Sequence, residues 1–365
     1  MNERSSGAGT VARYVAATVR PEIRALRAYA VADATGMIKL DANENPFPLP
    51  AAVQAKIAAA MAAVTINRYP DGGAAAVIAA LRVSLELPDT LELILGNGSD
   101  ELIQIAAVAL ARPGAVMLAP EPTFVMYQAN ALYAGMRFVG VPLCADFSLD
   151  IERMLAAIER ERPALIFIAS PNNPTGNRFP DVQVERILRA TQGLVVVDEA
   201  YCAFADATFL PRAGEFANLL LLRTLSKIGM AGLRLGYAIG APEWIEELNK
   251  VRQPYNLNAL TQAAAAVVLA QGTLLAEQVA TIRRERSRLA SALSALPDIE
   301  VFPSQANFVV VRVANASQCF DRLRGGGILV KNLHGSHPLL ARCLRITIGT
   351  PAENDALFAA LKMIP

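Results

Sequence analysis

The sequence predicts an α/β protein: a mostly parallel central sheet flanked by helices on both faces, followed by a smaller α+β domain. Three observations predict it. At 365 residues the chain exceeds one ordinary hydrophobic core, so a large domain with a smaller one attached is expected. From about residue 75 to 240, helix-like segments alternate with short apolar runs, the pattern of parallel strands joined by crossover helices. After Trp244 the alternation gives way to a long helical stretch, several strand-like pieces and a final helix.

Taken in order, residues 1 to about 12 are polar and glycine-rich and predict a loose arm. VRPEIRALRAYA then predicts a short helix, and MIKLDANEN the first strand-like run. In the middle of the chain DELIQIAAVALA, DIERMLAAIER and DVQVERILRAT carry apolar residues at helical spacing. Between and after them AVMLA, ALIFIAS, GLVVVDEA, LLLLRTL and GYAIG are apolar nearly throughout, as strands buried on both faces must be. The later helical stretch runs to about residue 295, and IEVFP, NFVVVRV, GILVKN and CLRITIG predict the strands of the smaller domain. The expected division is an arm and short helix joining the small domain (1–40), a large domain (41–258) and a small C-terminal domain (259–365).

Composition narrows the partners. Lys+Arg 34 against Asp+Glu 33 gives a net charge of +1, which removes the electrostatic case for nucleic acid or an anionic membrane surface and favours a small molecule. Alanine-rich stretches such as AAAMAAV and QAAAAVVLAQ suit close-packed helices. The longest apolar runs are broken by Arg112, Gln262 or Gln271, and the start lacks a basic-then-apolar secretory pattern, so no membrane partner and a cytoplasmic location are expected. Cys144, Cys202, Cys319 and Cys343 show no paired spacing and are expected to be buried free thiols. His334 and His337 sit in the turn-like string HGSHP, without a third ligand nearby, so no metal site is expected.

In open α/β sheets, ligands collect beyond the carboxyl ends of the strands. ALIFIAS runs into PNNPTG, GLVVV into DEAY and LLLLRTL into SK, which places Asn173, Asp198, Tyr201 and Lys227 along one edge. One lysine at a strand end is ordinarily a solvated cation. Here the surrounding strings argue otherwise. RTLSKIGMAGLRLGYAIG, with SPNNPTG, DEAY and GNGSDE, resembles the fold-type I aminotransferases, in order over nearly the whole chain.

That resemblance implies pyridoxal 5'-phosphate, carried as a Schiff base on Lys227, with the fold of that family and homodimers whose active sites are shared. Lys227, Asp198 and Tyr201 become the catalytic candidates. An imine needs a neutral amine, and an electron-withdrawing pyridine needs a protonated nitrogen, so a lysine and a buried facing carboxylate are the required pair. Arg234, seven residues after Lys227, would hold the cofactor phosphate, with Gly98, Ser99 and Asp100 at a helix start and the hydroxyls of Thr224 and Ser226. Asn173 and Tyr201 would donate to the cofactor's phenolic oxygen, and Phe124 in EPTFVMY would stack on its ring. Tyr69 in NRYPDGG matches a tyrosine that crosses to the neighbouring subunit's phosphate. Arg345 in CLRITIGT matches the arginine that grips the substrate carboxylate.

Further strings, namely LDANENPF, NRYPD, VRQPYNLN, LVKN and CLRITIGTPAEN, resemble the branch that exchanges an amino group between L-histidinol phosphate and 2-oxoglutarate, giving imidazole-acetol phosphate and L-glutamate. One anion site must then accept a phosphate or a carboxylate. Tyr29 and Asn256 match positions near that substrate. Lys331 stands where many members have arginine, which keeps positive charge but removes the fork, and IGMAGL is one residue shorter than in some members. Aromatic amino acid aminotransferases and threonine-phosphate decarboxylases share the fold and are the rival readings. A cofactor-binding regulator would need a basic helical module, and none precedes residue 40.

Overall fold

The computed structural model describes residues 4–28 and 31–363, and the chain divides into two compact units between Thr35 and Gly36. In the first unit a helix, Arg4–Thr18, stands where a loose arm was expected. Helix-forming residues in TVARYVAAT, with no proline before Pro21, account for the difference. The Thr18 hydroxyl donates to Tyr14 O at 2.7 Å near its end. Pro21 then opens a second helix, which spans only Pro21–Arg24 of the longer stretch expected.

The second unit begins with strand β1 (Ile38–Leu40). Strands β2 (Glu92–Asn97), β3 (Val116–Glu121), β4 (Arg137–Pro142), β5 (Leu165–Ala169), β6 (Leu194–Asp198), β7 (Leu219–Thr224) and β8 (Leu235–Gly240) form a seven-stranded sheet ordered β2-β8-β7-β6-β5-β3-β4. Only β8 runs against its neighbours, so the sheet is mostly parallel, as the alternating pattern implied. Strands β9 (Glu300–Val301), β10 (Phe308–Arg312), β11 (Ile328–Asn332) and β12 (Cys343–Thr347) join β1 in a five-stranded sheet ordered β1-β11-β12-β10-β9.

Strands β5, β6 and β7 explain why their sequences are continuous apolar runs: every residue in them is buried. Ile166, Ile168, Val195, Val197, Leu219 and Leu221 enter one core, and Leu165, Phe167, Leu194, Val196, Leu220 and Leu222 the other. Period-two alternation thus feeds two hydrophobic layers, each such side chain contributing about 1.5–3 kcal/mol. A third core packs Phe308, Val309, Leu344 and Ile346 of the five-stranded sheet against Ile282, Leu289 and Leu293.

Strands β2 and β4 went unrecognised in the sequence. Both lie at edges of the seven-stranded sheet, and β4, RFVGVP, carries glycine and proline and is only partly buried. The single long helical stretch expected after Trp244 is three helices, Pro242–Val251, Ala259–Leu269 and Gly272–Ser294. Asn258 caps the second by accepting from Thr261 N at 2.8 Å, and the second and third meet at a bend of 79°. Among the described residues no single helix is long and apolar enough to cross a membrane.

Candidate active site

Because β5, β6 and β7 are parallel and in register, their carboxyl ends deliver Asp198, Thr224 and the loop after Ala169 to one edge. Asp198 is the last residue of β6 and only 5% exposed. Its Oδ1 accepts from Ala200 N at 3.0 Å and its Oδ2 from the Tyr127 hydroxyl at 2.6 Å. Burial lifts its pKa to about 6, against the lowering pull of those two donors, with Asp100 and Glu199 adding to the rise. A buried acid of this kind is poised to pair with a cation.

Lys227 lies in the 3-10 turn Ser226–Ile228 that follows β7. It is half-buried, with Nζ 3.4 Å from Ala42 O and 5.8 Å from the centre of the Tyr201 ring. Tyr201 is itself buried and edge-on to Phe308, and its hydroxyl oxygen accepts from Asn43 Nδ2 at 2.9 Å. Asn43 is tied in turn to Thr347, whose hydroxyl accepts from Asn43 N at 3.0 Å. With the Tyr201 oxygen already an acceptor, its own O–H is left to donate elsewhere.

An anion cradle forms beside Lys227. Gly98 caps the helix Ser99–Leu110 with φ of +83°, a left-handed conformation that favours glycine. A Cβ there would stand 2.6 Å from Arg234 Nη2, so any larger residue would push the guanidinium from its present place. Arg234 also reaches Asp100 Oδ2 at 3.2 Å and Ser226 Oγ at 3.5 Å, and the Thr224 and Ser226 hydroxyls meet at 2.9 Å. Backbone N–H groups at the helix start, two hydroxyls and one guanidinium suit a phosphate.

Arg345, on β12, approaches from the five-stranded sheet. Its Nη1 donates to Asn173 Oδ1 at 2.5 Å and its Nη2 to Asp41 O at 2.7 Å, with the guanidinium 5.2 Å from the centre of the Phe308 ring. The antiparallel register sets Lys331 directly opposite Arg345, which puts both cations on one face of the sheet. Behind the rim a buried ion pair ties β7 to the chain after β6: Arg223 donates to Glu199 Oε2 at 2.7 and 2.9 Å, and Glu199 Oε1 accepts from Phe209 N at 2.6 Å.

The residues singled out in the sequence therefore fall into distinct places. Lys227, Tyr201, Asn173 and Arg345 are linked through shared partners, Asp198 is held by Ala200 N and Tyr127 at the end of β6, and Gly98, Ser99, Asp100, Thr224, Ser226 and Arg234 make the anion cradle. Phe124 is partly buried and meets Tyr127 edge-on at 5.7 Å. Asn256 instead faces Glu101 Oε2 (2.6 Å) and Leu95 O (3.2 Å), lining a separate cavity of about 170 Å³ with Asp71, Tyr255 and Gln262. Tyr69 is 81% exposed and stacked on Tyr255 at 4.5 Å. Tyr29 lies outside the described residues.

Two contributors escaped the sequence reading, Tyr127 and Asn43. Both sit in strings already noticed, EPTFVMY and LDANENPF, but nothing local marks a tyrosine or asparagine as the partner of a residue far along the chain. The two histidines are turn caps: Nδ1 of His334 accepts from Arg342 N at 3.0 Å and Nδ1 of His337 from Leu339 N at 3.2 Å. All four cysteines are free thiols, and the described residues hold no cluster of three metal-ligating side chains.

Pyridoxal phosphate fits what is present. The cradle that a Cβ at Gly98 would fill suits its phosphate, and the buried Asp198, whose acidity is weakened chiefly by burial, suits its basic ring nitrogen. Comparison with known proteins agrees. The family model for aminotransferase class I and II matches residues 35–361. The chain is 56% identical over 344 residues to histidinol-phosphate aminotransferase of Chromobacterium violaceum, covering 94% of this chain and 97% of that one. It is 51% identical over 346 residues to histidinol-phosphate aminotransferase 2 of Burkholderia pseudomallei, covering 94% and 97%. Among solved structures it is similar to histidinol-phosphate aminotransferase of Sinorhizobium meliloti in complex with pyridoxal-5'-phosphate, with a TM-score of 0.85 at 28% identity, covering 94% and 96%.

Proposed function

The chain belongs to the class I and II aminotransferases, and from that premise we propose that it transfers an amino group between L-histidinol phosphate and 2-oxoglutarate, giving imidazole-acetol phosphate and L-glutamate, a step of histidine biosynthesis. The observation that carries the choice of substrate is near-full-length identity with enzymes named for that activity. Pyridoxal phosphate, when bound, supplies an electron sink that acidifies the substrate's α-carbon.

The side chains divide the remaining work. Gly98, Ser99, Asp100, Thr224, Ser226 and Arg234 hold the cofactor phosphate, and Phe124 orients the ring. Asp198 would serve the ring nitrogen as its counter-charge, while Tyr201 and Asn173 would donate to the phenolic oxygen. Lys227 would carry the cofactor at rest, and its Nζ, once free, would take the proton from the substrate's α-carbon and deliver it to the cofactor's C4' carbon. Arg345 grips the substrate anion by its fork, and Lys331 opposite adds a point charge, so phosphate and carboxylate are both accommodated. Tyr29 is assigned to the substrate side by the resemblance alone, and Asn256, held by Glu101 beside a separate cavity, is left out of it.

The same reading extends to assembly. The two separate sheets support a large domain (41–258) and a small one (259–365), the latter taking in β1 from the segment 1–40. The exposed Tyr69 and Tyr255 stack supports a homodimer in which Tyr69 serves the neighbouring subunit's cofactor. Four free thiols support a reducing, cytoplasmic location. The test is amino transfer from glutamate to imidazole-acetol phosphate by the purified, cofactor-saturated protein. Turnover of that pair with little use of phenylalanine and no decarboxylation of threonine phosphate is expected. Good turnover of phenylalanine with none of histidinol phosphate overturns the assignment.

A further inference from the structure

Asp198 needs a fixed orientation that its own strand does not supply, because a carboxyl at a strand end can turn about its side-chain bonds. Ala200 N holds one oxygen, and the hydroxyl of Tyr127 holds the other at 2.6 Å. Tyr127 comes from the helix Met126–Ala134, 71 residues earlier, and is wholly buried. Its ring stacks on Phe167 at 4.4 Å and meets Phe124 edge-on, so the hydroxyl is presented from a packed wall. Burial and the facing Asp198 push its phenol well above 10, which keeps it a donor.

We propose that Tyr127 is a positioning residue for the amino transfer: from within the core its hydroxyl fixes which way the Asp198 carboxyl points and stabilises the carboxylate form. The proposal rests on the reading of Asp198 as the counter-charge of the cofactor ring. The other groups around the Asp198 and Tyr127 pair are Asp100 on the helix Ser99–Leu110, Glu199 beside Asp198 with its partner Arg223 on β7, and Tyr201, which acts on Tyr127. Asp100 and Glu199 both oppose a further negative charge there. The Tyr127 hydroxyl and Ala200 N are the donors that counter them. Phe124, already expected to stack on the cofactor, rests edge-on against the same tyrosine, so one side chain supports both the face and the nitrogen end of the ring.

Tyr127→Phe tests this, since it keeps the stack and removes one oxygen. In the cofactor-free protein the midpoint of Asp198 titration is read from the pH dependence of urea unfolding, each protein being compared with its Asp198→Asn counterpart. It is expected to rise by about one pH unit without the hydroxyl. In the loaded enzyme the acidic limb of the kcat profile should rise by a similar amount while KM for glutamate changes by less than about twofold. An unmoved midpoint and limb, or a kcat lowered equally at every pH, overturns the proposal and leaves Tyr127 as packing alone. If Asp198→Asn itself keeps the wild-type rate, the reading of Asp198 fails. A crippled Asp198→Asn with an indifferent Tyr127→Phe sinks only the role of Tyr127.

Discussion

Replacing Asp198 by asparagine should make the cofactor-free protein more stable while ruining the enzyme. Burial, the largest cause, raises the folded carboxyl from 3.8 to about 6. Below 3.8 the group is protonated whether the chain is folded or not, so it imposes no penalty. As pH rises from 3.8 through about 6 the unfolded chain ionises first, and folding stability is lost across that window. Above it the wild type carries a constant penalty of about 3 kcal/mol, from roughly two pH units at about 1.4 kcal/mol each. The substituted amide cannot ionise, and it can keep both contacts, its oxygen accepting from Ala200 N and its Nδ2 donating to the Tyr127 hydroxyl oxygen. Urea unfolding of both stripped proteins, below and above the window, should show the difference in stability growing by about 3 kcal/mol in favour of the variant. Adding pyridoxal phosphate should reverse the ranking, because the wild-type anion then has a cation to face. A difference that stays flat with pH would refute the account of Asp198 as a strained, buried acid awaiting a partner.

Lys227→Ala should leave the fold intact, since the amine makes a long 3.4 Å contact with Ala42 O and a distant one, 5.8 Å, with the Tyr201 ring, yet abolish both turnover and the adduct trapped by borohydride, checked by assay and mass spectrometry. Arg345→Lys loses the fork that meets Asn173 and Asp41; KM for both amino donors should rise about tenfold, roughly 1.4 kcal/mol, with a smaller effect on kcat in steady-state kinetics. Glu199→Gln strands a buried guanidinium and should lower unfolding free energy by about 3–5 kcal/mol, whereas the double variant Glu199→Gln with Arg223→Met should recover much of the loss.

How far each part was legible follows from how local its cause is. The strand strings ALIFIAS, GLVVVDEA and LLLLRTL announced themselves because burial on both faces leaves no room for polar residues. Strand β4 escaped because, with one side of its ladder free, it tolerates glycine and proline and loses its signature. The motif residues Lys227, Arg234 and Gly98 were visible because their settings are short-range: a turn after a strand, and a glycine ahead of a helix. The helix Arg4–Thr18 was missed because glycine and serine at its start outweighed the alanines that follow.

What the chain determined by itself was the alternation of buried strands and helices, the polar ends of those strands, and the backbone conformations at Gly98 and around Lys227, all set by neighbours a few residues away. Only the tertiary structure decided that Tyr127 would hold Asp198, that Asn43 would hold Tyr201 and that Asn173 would meet Arg345, pairs separated by 71, 158 and 172 residues. Such pairings depend on strand order and register, and a displacement of one residue turns a side chain to the opposite face of its sheet. Local strings cannot encode that outcome alone, because it is the packing of two sheets and their covering helices that selects it.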